Sequence, residues 1–334
     1  MKKRKIALII LLTLIVVYFL GPTPPSPQYN TEIPELPSIE KLEDFVNLKE
    51  AQFHTRPGNE AQIVWLDSNK SKTDYSILYL HGFSACHMEG NPIHMNLAKE
   101  FGANLYLARL QEHGLISDNN LENYSPDGVW ESAKEALFIA KKLGNKVIVI
   151  STSTGSPIAL KLAAEYPETV NSLINLSPNF RIKDPMARIL NDPWGLQIAG
   201  LVIGEKRHVI YENEEAKKYW DTLYSVKSMV SLEELIETTT TEEILNNITC
   251  PVLSLYYFKD EAHQDNVVDV SVIPLIHSKM KSAPGKNIHK ALSTPGNHVI
   301  GSSIQSKDYN IVEEEIREFL ISTLELSPKN PSFN

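Results

Sequence analysis

Hydrophobic and polar positions change rhythm along this chain. One apolar run, Ile6 to Leu20, is interrupted only by Thr13 and follows Lys2, Lys3, Arg4 and Lys5. Residues 22–27, Pro-Thr-Pro-Pro-Ser-Pro, cannot be helix and predict a stiff extended spacer that holds the body clear of a membrane surface. Ser38 to Phe53 then places Ile39, Leu42, Phe45 and Val46 at helical spacing behind Pro37-Ser38. Beyond it, short β-rich runs alternate with amphipathic stretches. The runs predict strands at Ile63–Leu66, Ser76–Leu80, Asn104–Ala108, Lys146–Ser151, Ser172–Leu176, Val252–Phe258 and Asn287–Ala291. Helices are expected at Met95–Phe101, Val129–Leu143, Pro157–Glu165 and Ile311–Thr323. Val147-Ile148-Val149-Ile150 is apolar on successive residues, which marks strands buried on both faces, so the expected fold is α/β, a mostly parallel sheet between helix layers.

Residues 181–247 break the alternation: they hold aromatics and a polar helix but no convincing sheet strand. The expected organisation is an N-terminal membrane anchor or signal segment at 1–21, a Pro-rich linker at 22–36, an α/β core at 37–180 and 248–325, and a helical insertion at 181–247. The tail after Leu326 is expected to fray.

A cationic stretch followed by an apolar one orients the body across the membrane, into the periplasm or outside the cell. The run ends Val17-Tyr18-Phe19-Leu20-Gly21-Pro22 without an A-x-A cleavage pattern, which favours an uncleaved anchor over a removed signal. It is slightly short for a spanning helix. Cys86 and Cys250 are too few for a disulfide framework and read as buried small hydrophobes.

Charge narrows the choice of partner. The net charge is -9, and four of the 32 basic residues sit at the amino end, so the body carries 28 against 41 acidic residues. A body this acidic repels nucleic acid and anionic headgroups. Neither nucleotide-binding glycine motif is present, so no cofactor is expected. His81, Cys86, His87, Met88, His94 and Met95 cluster in sequence, but their spacing matches no zinc pattern and no metal is expected.

The chemistry concentrates in KVIVISTSTGSPIALKLAAEYP, residues 146–167. A buried strand ends near Ile150 and a helix begins near Gly155, so the turn between them lifts a serine above the sheet edge. Ser153 fits, with Ser151 two residues before it and Gly155 two after; the pattern departs from G-x-S-x-G in having serine first. The plainer alternative is a Ser/Thr-rich helix cap. YSILYLHGFSA supplies oxyanion donors: Gly82 lets the backbone pass close, so the Phe83 amide can pair with that of Thr154. His81, which opens that loop, reads as a structural hydrogen-bonder. An acid should follow the Val252–Phe258 strand. Asp265 is preferred because it leads Asn-Val-Val, and Asp260 stays open. His298 sits in the Pro-Gly turn after the last strand, as a base should. The order Ser153, Asp265, His298 is the one expected when the three converge on one sheet edge.

With those residues in hand, the chain resembles the α/β-hydrolases, and among them it is similar to carboxylesterases and monoacylglycerol lipases. The resemblance runs from about Tyr75 to Leu320 through LYLHGFSA, LYLARLQEHG, the serine turn and GNH. It implies an inserted helical cap at 181–247, a small ester with an apolar part as substrate, and cleavage through an acyl-serine. In such enzymes the acid often precedes a Val-Val pair, as Asp265 does, although the loop Lys259–Gln264 is longer than usual. Met186, Ile189, Leu190, Trp194, Leu196, Ile198, Leu201 and Val202 could line an acyl pocket or form the cap's own core. A dead fold kept for binding, or another activity such as thioester or C–C cleavage or perhydrolysis, is the alternative.

Overall fold

A computed structural model describes residues 2–329 of the chain; residues 330–334, the end of the expected frayed tail, lie outside the described residues. In the described part the tail is tied down, because the Lys329 N–H donates to the Glu100 carbonyl at 2.8 Å and its ammonium meets Asp74 at 2.9 Å.

Ten helices and ten strands are described. The helices are α1 (Lys2–Phe19), α2 (Leu42–Glu50), α3 (Ile93–Phe101), α4 (Pro126–Leu143), α5 (Gly155–Glu165), α6 (Gly195–Ile203), α7 (Val226–Thr239), α8 (Glu242–Asn246), α9 (Ile273–Lys279) and α10 (Tyr309–Ser322). The strands are β1 (Gln62–Val64), β2 (Thr73–Leu80), β3 (Asn104–Leu107), β4 (Gly144–Thr152), β5 (Val170–Leu176), β6 (Lys206–His208), β7 (Leu223–Ser225), β8 (Val252–Asp260), β9 (His263–Gln264) and β10 (Asn287–Leu292). The main sheet runs β1-β3-β2-β4-β5-β8-β10, with β9 hanging antiparallel on β8. Along that path every neighbour from β3 to β10 is parallel, and β1 joins β3 antiparallel.

The successive apolar residues of β4 explain the layering. Val147 and Val149 pack with α4 and α5 on one face, while Ile148 and Ile150 pack with α3 and α10 on the other. Residues on alternate sides therefore feed two separate cores, and neither face of the strand can stay wet. The parallel strands also set the site, since loops leaving their carboxyl ends gather along one edge.

Residues 181–247 contain α6, α7, α8 and a small antiparallel pair, β6 with β7, outside the main sheet. Their own core is small: Ala187, Leu190 and Ala199 against Val226 and Val230. The apolar residues anticipated there divide. Leu190 is buried, whereas Met186, Leu201 and Val202 are 61%, 89% and 79% exposed and so belong neither to that core nor to a closed pocket.

Two expectations for the amino end are corrected. Among the described residues no helix is long and apolar enough to cross a membrane. Helix α1 spends its first turn on Lys2–Lys5, and the 14 residues from Ile6 to Phe19 rise only about 21 Å against a hydrocarbon thickness of about 30 Å. Its last turns lie beside α6 instead, with Leu14, Val17 and Tyr18 facing Trp194, Ile198 and Leu201. The linker is extended, but it is a strap on the body and not a free spacer. Asp127 accepts the N–H groups of Gln28 and Tyr29 at 2.8 and 2.7 Å. The Asn30 carbonyl accepts from Trp130 Nε1 at 2.6 Å and from the buried Lys134 ammonium at 2.7 Å, and the Thr31 carbonyl accepts from the Tyr166 hydroxyl at 2.9 Å. Both cysteines are free thiols, Cys86 buried and Cys250 half-buried.

Candidate active site

The turn from β4 to α5 puts Ser153 at φ +52°, a backbone region that a side chain beyond Cβ rarely adopts. Three bonds hold it there: the Ser153 N–H donates to the Leu176 carbonyl at 2.9 Å, and its carbonyl accepts from Ser156 and Asn179, both at 3.0 Å. Gly155 is required just beyond, because a Cβ there would lie 2.4 Å from the Leu80 carbonyl oxygen where α5 crosses β2. Ser151, the departure from glycine, is explained by what lies under the turn. Its hydroxyl donates to Asn175 Oδ1 at 2.9 Å, the Asn175 amide donates to Ser254 Oγ at 3.2 Å, and His277 Nε2 meets that same Oγ at 2.8 Å. A buried polar row thus crosses β4, β5 and β8 beneath the serine, and a glycine at 151 would orphan its first acceptor.

The loops at the edge bring three of the anticipated residues into one hydrogen-bonded line. His298 Nε2 lies 2.9 Å from Ser153 Oγ, and His298 Nδ1 lies 2.7 Å from Asp265 Oδ2. Asp265 is fully buried, and its other oxygen accepts the N–H groups of Val267 and Val268 at 2.8 and 3.0 Å. The Asn-Val-Val that follows it is therefore a two-amide seat for the carboxylate. Asp260 is not brought in: it sits on an exposed turn, where its carboxylate meets His263 Nδ1 at 2.8 Å. Ser153 and His298 are only 6% and 9% exposed, so the line lies under cover.

The electrostatics of the line are opposed and resolved. Burial pushes His298 down, but the Asp265 charge and hydrogen bond, with a smaller pull from Glu89, leave it above the usual imidazole value. Burial pushes Asp265 up, yet His298 and the two amides leave it below the usual carboxylate value. Asp265 thus stays ionised and His298 is a strengthened base.

The loop after β2 carries one of the two anticipated donors, Phe83; the other, Thr154, follows Ser153 at the start of α5. Gly82 has to be glycine, because a Cβ there would lie 2.8 Å from Ser153 Cβ. His81 holds the peptide that follows. Its Nε2 accepts the Leu110 N–H at 3.0 Å, which leaves the proton on Nδ1 to donate to the Gly82 carbonyl at 2.8 Å. That carbonyl and the Phe83 N–H belong to one rigid peptide plane, so fixing the oxygen aims the N–H. The Phe83 ring is wedged edge-on between Tyr124 and Tyr224, each with its centroid 5.2 Å away. Among the described residues, neither the Phe83 nor the Thr154 N–H takes part in the backbone bonds of the surrounding turns.

Glu89 escaped the sequence reading. It lies in the single turn His87–Gly90, is 3% exposed, and accepts the Gly82 N–H at 2.6 Å. Its turn is stitched to the loop after His298 by Ser302 Oγ donating to the Met88 carbonyl and the Ser303 N–H donating to the Asn91 carbonyl, both at 2.9 Å. The only sequence signal was a glutamate among Cys, His and Met.

No protein-family model matches the sequence, and no curated protein matches it. Solved structures do resemble the chain. One is a lipolytic enzyme from work on the metagenome-derived LipS and LipT, with a TM-score of 0.64 at 16% identity, covering 80% of this chain and 99% of that one. Another is the monoacylglycerol lipase of Paleococcus ferrophilus, at 0.58 and 14%, covering 78% and 98%. A third is a soluble variant of monoglyceride lipase from Saccharomyces cerevisiae in complex with a substrate analog, at 0.54 and 13%, covering 89% and 98%. At these identities the likeness is one of fold, and the chain has the α/β-hydrolase fold.

Proposed function

We propose that this protein is a serine hydrolase that cleaves small carboxylic esters, and the observation that carries the reading is the line Ser153–His298–Asp265 at 2.9 and 2.7 Å. His298 Nε2 takes the proton from Ser153 Oγ as that oxygen attacks the ester carbonyl, and Asp265 steadies the imidazolium. The Phe83 and Thr154 amides receive the oxyanion. The tetrahedral intermediate collapses to an acyl-serine as His298 returns its proton to the leaving alcohol. Water, deprotonated by His298, then releases the acid and restores Ser153. The lipases of the same fold support an ester as substrate, and the rings of Phe83, Tyr211 and Tyr224 beside the site suit one with an apolar acyl or alcohol part. No step calls for a cofactor.

The same reading puts the catalytic body outside the cytoplasm, with the amino-terminal segment as its targeting signal. Four basic residues ahead of a 15-residue apolar run support that orientation.

The test is covalent labelling of the full chain in detergent micelles with a fluorophosphonate, followed by peptide mass spectrometry. Labelling at Ser153 that disappears in His298→Ala is the expected result. A folded protein that stays unlabelled while hydrolysing no activated ester overturns the reading.

A further inference from the structure

Glu89 holds the loop after β2 and lies within electrostatic reach of His298 without belonging to the hydrogen-bonded line. Its carboxylate oxygens lie 3.0 and 3.1 Å from the point where a Gly82 Cβ would sit, and Ser153 Cβ lies 2.8 Å from that same point. The groups within electrostatic reach of it are Tyr79 from β2, Cys86 and the Gly82 amide from the oxyanion loop, His298, and Tyr211 and Trp220 from the cap. Of these only His298 can become a cation.

A buried acid with no lysine or arginine facing it is costly, and anchoring alone does not require one. A glutamine would accept the Gly82 N–H through its amide oxygen without burying a charge. The one positive charge that faces Glu89 is the imidazolium that exists while His298 holds the Ser153 proton. We propose that Glu89 is a second acid of this site, a positioning residue that fixes the oxyanion loop through the Gly82 N–H and, by its charge, holds His298 more basic and steadies its imidazolium.

The inference rests on the hydrolase reading. The proton passes only from Ser153 Oγ to His298 Nε2 and back; none is transferred to Glu89. Burial, which pushes the Glu89 carboxyl up to about 7, places its own ionisation where the enzyme would work, so its charge is present above that pH.

The experiment measures the rate of fluorophosphonate labelling of Ser153 between pH 5 and 9 in the full chain, with Glu89→Gln and Glu89→Ala compared at equal folded fraction by circular dichroism. Removing a negative charge that faces His298 makes it a weaker base. The acid limb of the Glu89→Gln profile is therefore expected at lower pH, by up to about tenfold in proton concentration. Glu89→Ala also loses the Gly82 anchor and is expected to label at least about tenfold more slowly than Glu89→Gln at every pH. A Glu89→Gln profile that superimposes on the wild type overturns the charge role, and Glu89→Ala labelling as fast as Glu89→Gln overturns the anchoring role. Glu89→Gln keeps the test decisive if the alanine variant does not fold. Absence of labelling in the wild type sinks the hydrolase reading itself, and this inference with it.

Discussion

Asp265→Asn separates geometry from charge at one buried atom. Asp265 Oδ1 accepts two backbone N–H groups and Oδ2 faces His298 Nδ1 at 2.7 Å. An asparagine keeps the shape, and its single carbonyl goes to the two amides because nothing else there can satisfy them. Its NH2 is left facing Nδ1 and can only donate. His298 must then present a bare Nδ1 and carry its proton on Nε2, the nitrogen that has to accept from Ser153 Oγ at 2.9 Å. The base is occupied before the reaction starts. A loss on the order of 10⁴-fold in kcat is expected, about 5.5 kcal/mol of transition-state stabilisation. Stability should change little, since the side chain is isosteric and a buried charge has been removed. The assay is p-nitrophenyl butyrate hydrolysis by the full chain at pH 8, with thermal unfolding as the control. Asp260→Asn is the companion variant and should match the wild type, because Asp260 bonds only within its own exposed turn. A folded Asp265→Asn protein within tenfold of wild-type activity would mean that His298 does not take its orientation from Asp265, and the mechanism above would fall.

Two further outcomes follow from groups under and beside the serine. Ser151→Ala removes the donor to the fully buried Asn175 oxygen and should cost about 1–3 kcal/mol in urea denaturation while Ser153 still labels. Glu89→Gln should stabilise the protein in a pH-dependent way. With its pKa raised from 4.5 to about 7, the folded protein holds a proton that the unfolded chain releases, so this carboxyl's contribution is present below 4.5 and lost as pH rises through 7. The variant should gain on the wild type by about 3 kcal/mol at pH 8 and by almost nothing at pH 4, and melting curves at the two pH values check it.

The sheet was legible because its strands are buried on both faces, and a run such as Val147–Ile150 has few other interpretations. Each anticipated strand overlaps an observed one, with boundaries drifting where polar residues continue the pairing, as at Asn145 and Lys146 in β4. The serine, the acid and the histidine were legible for a related reason: a parallel sheet sends its loops to one edge, so residues at strand ends meet however far apart they lie in sequence. The rest required contacts that leave no local pattern. Helix α9 begins Ile273-Pro274 and spans only seven residues, too few for a period to show. The polar row under Ser151 joins strands whose residues are 24 and 79 positions apart, and each member alone is just a polar residue in an apolar run. The strap binds largely through its own carbonyls at Asn30 and Thr31, and a carbonyl is the same whatever the side chain. Glu89 was obscured by company, a charged residue in a segment whose neighbours drew the attention.

The strap separates the fate of α1 from the fold of the body. Its bonds to α4, to Tyr166 just after α5 and to α7 begin at Gln28. Ahead of that residue, Trp194 is tied to the amino-terminal segment by its N–H to the Pro22 carbonyl and its indole to the Val17 carbonyl, both at 3.0 Å, and Tyr18 reaches Asp192 at 3.4 Å. Proteolysis anywhere in Thr23–Pro27 would release α1 and leave every later strap bond in place. Cleaved and uncleaved molecules would then share the architecture of the body and differ in whether one tryptophan is covered. Trp194 fluorescence could therefore report processing that an activity assay would miss.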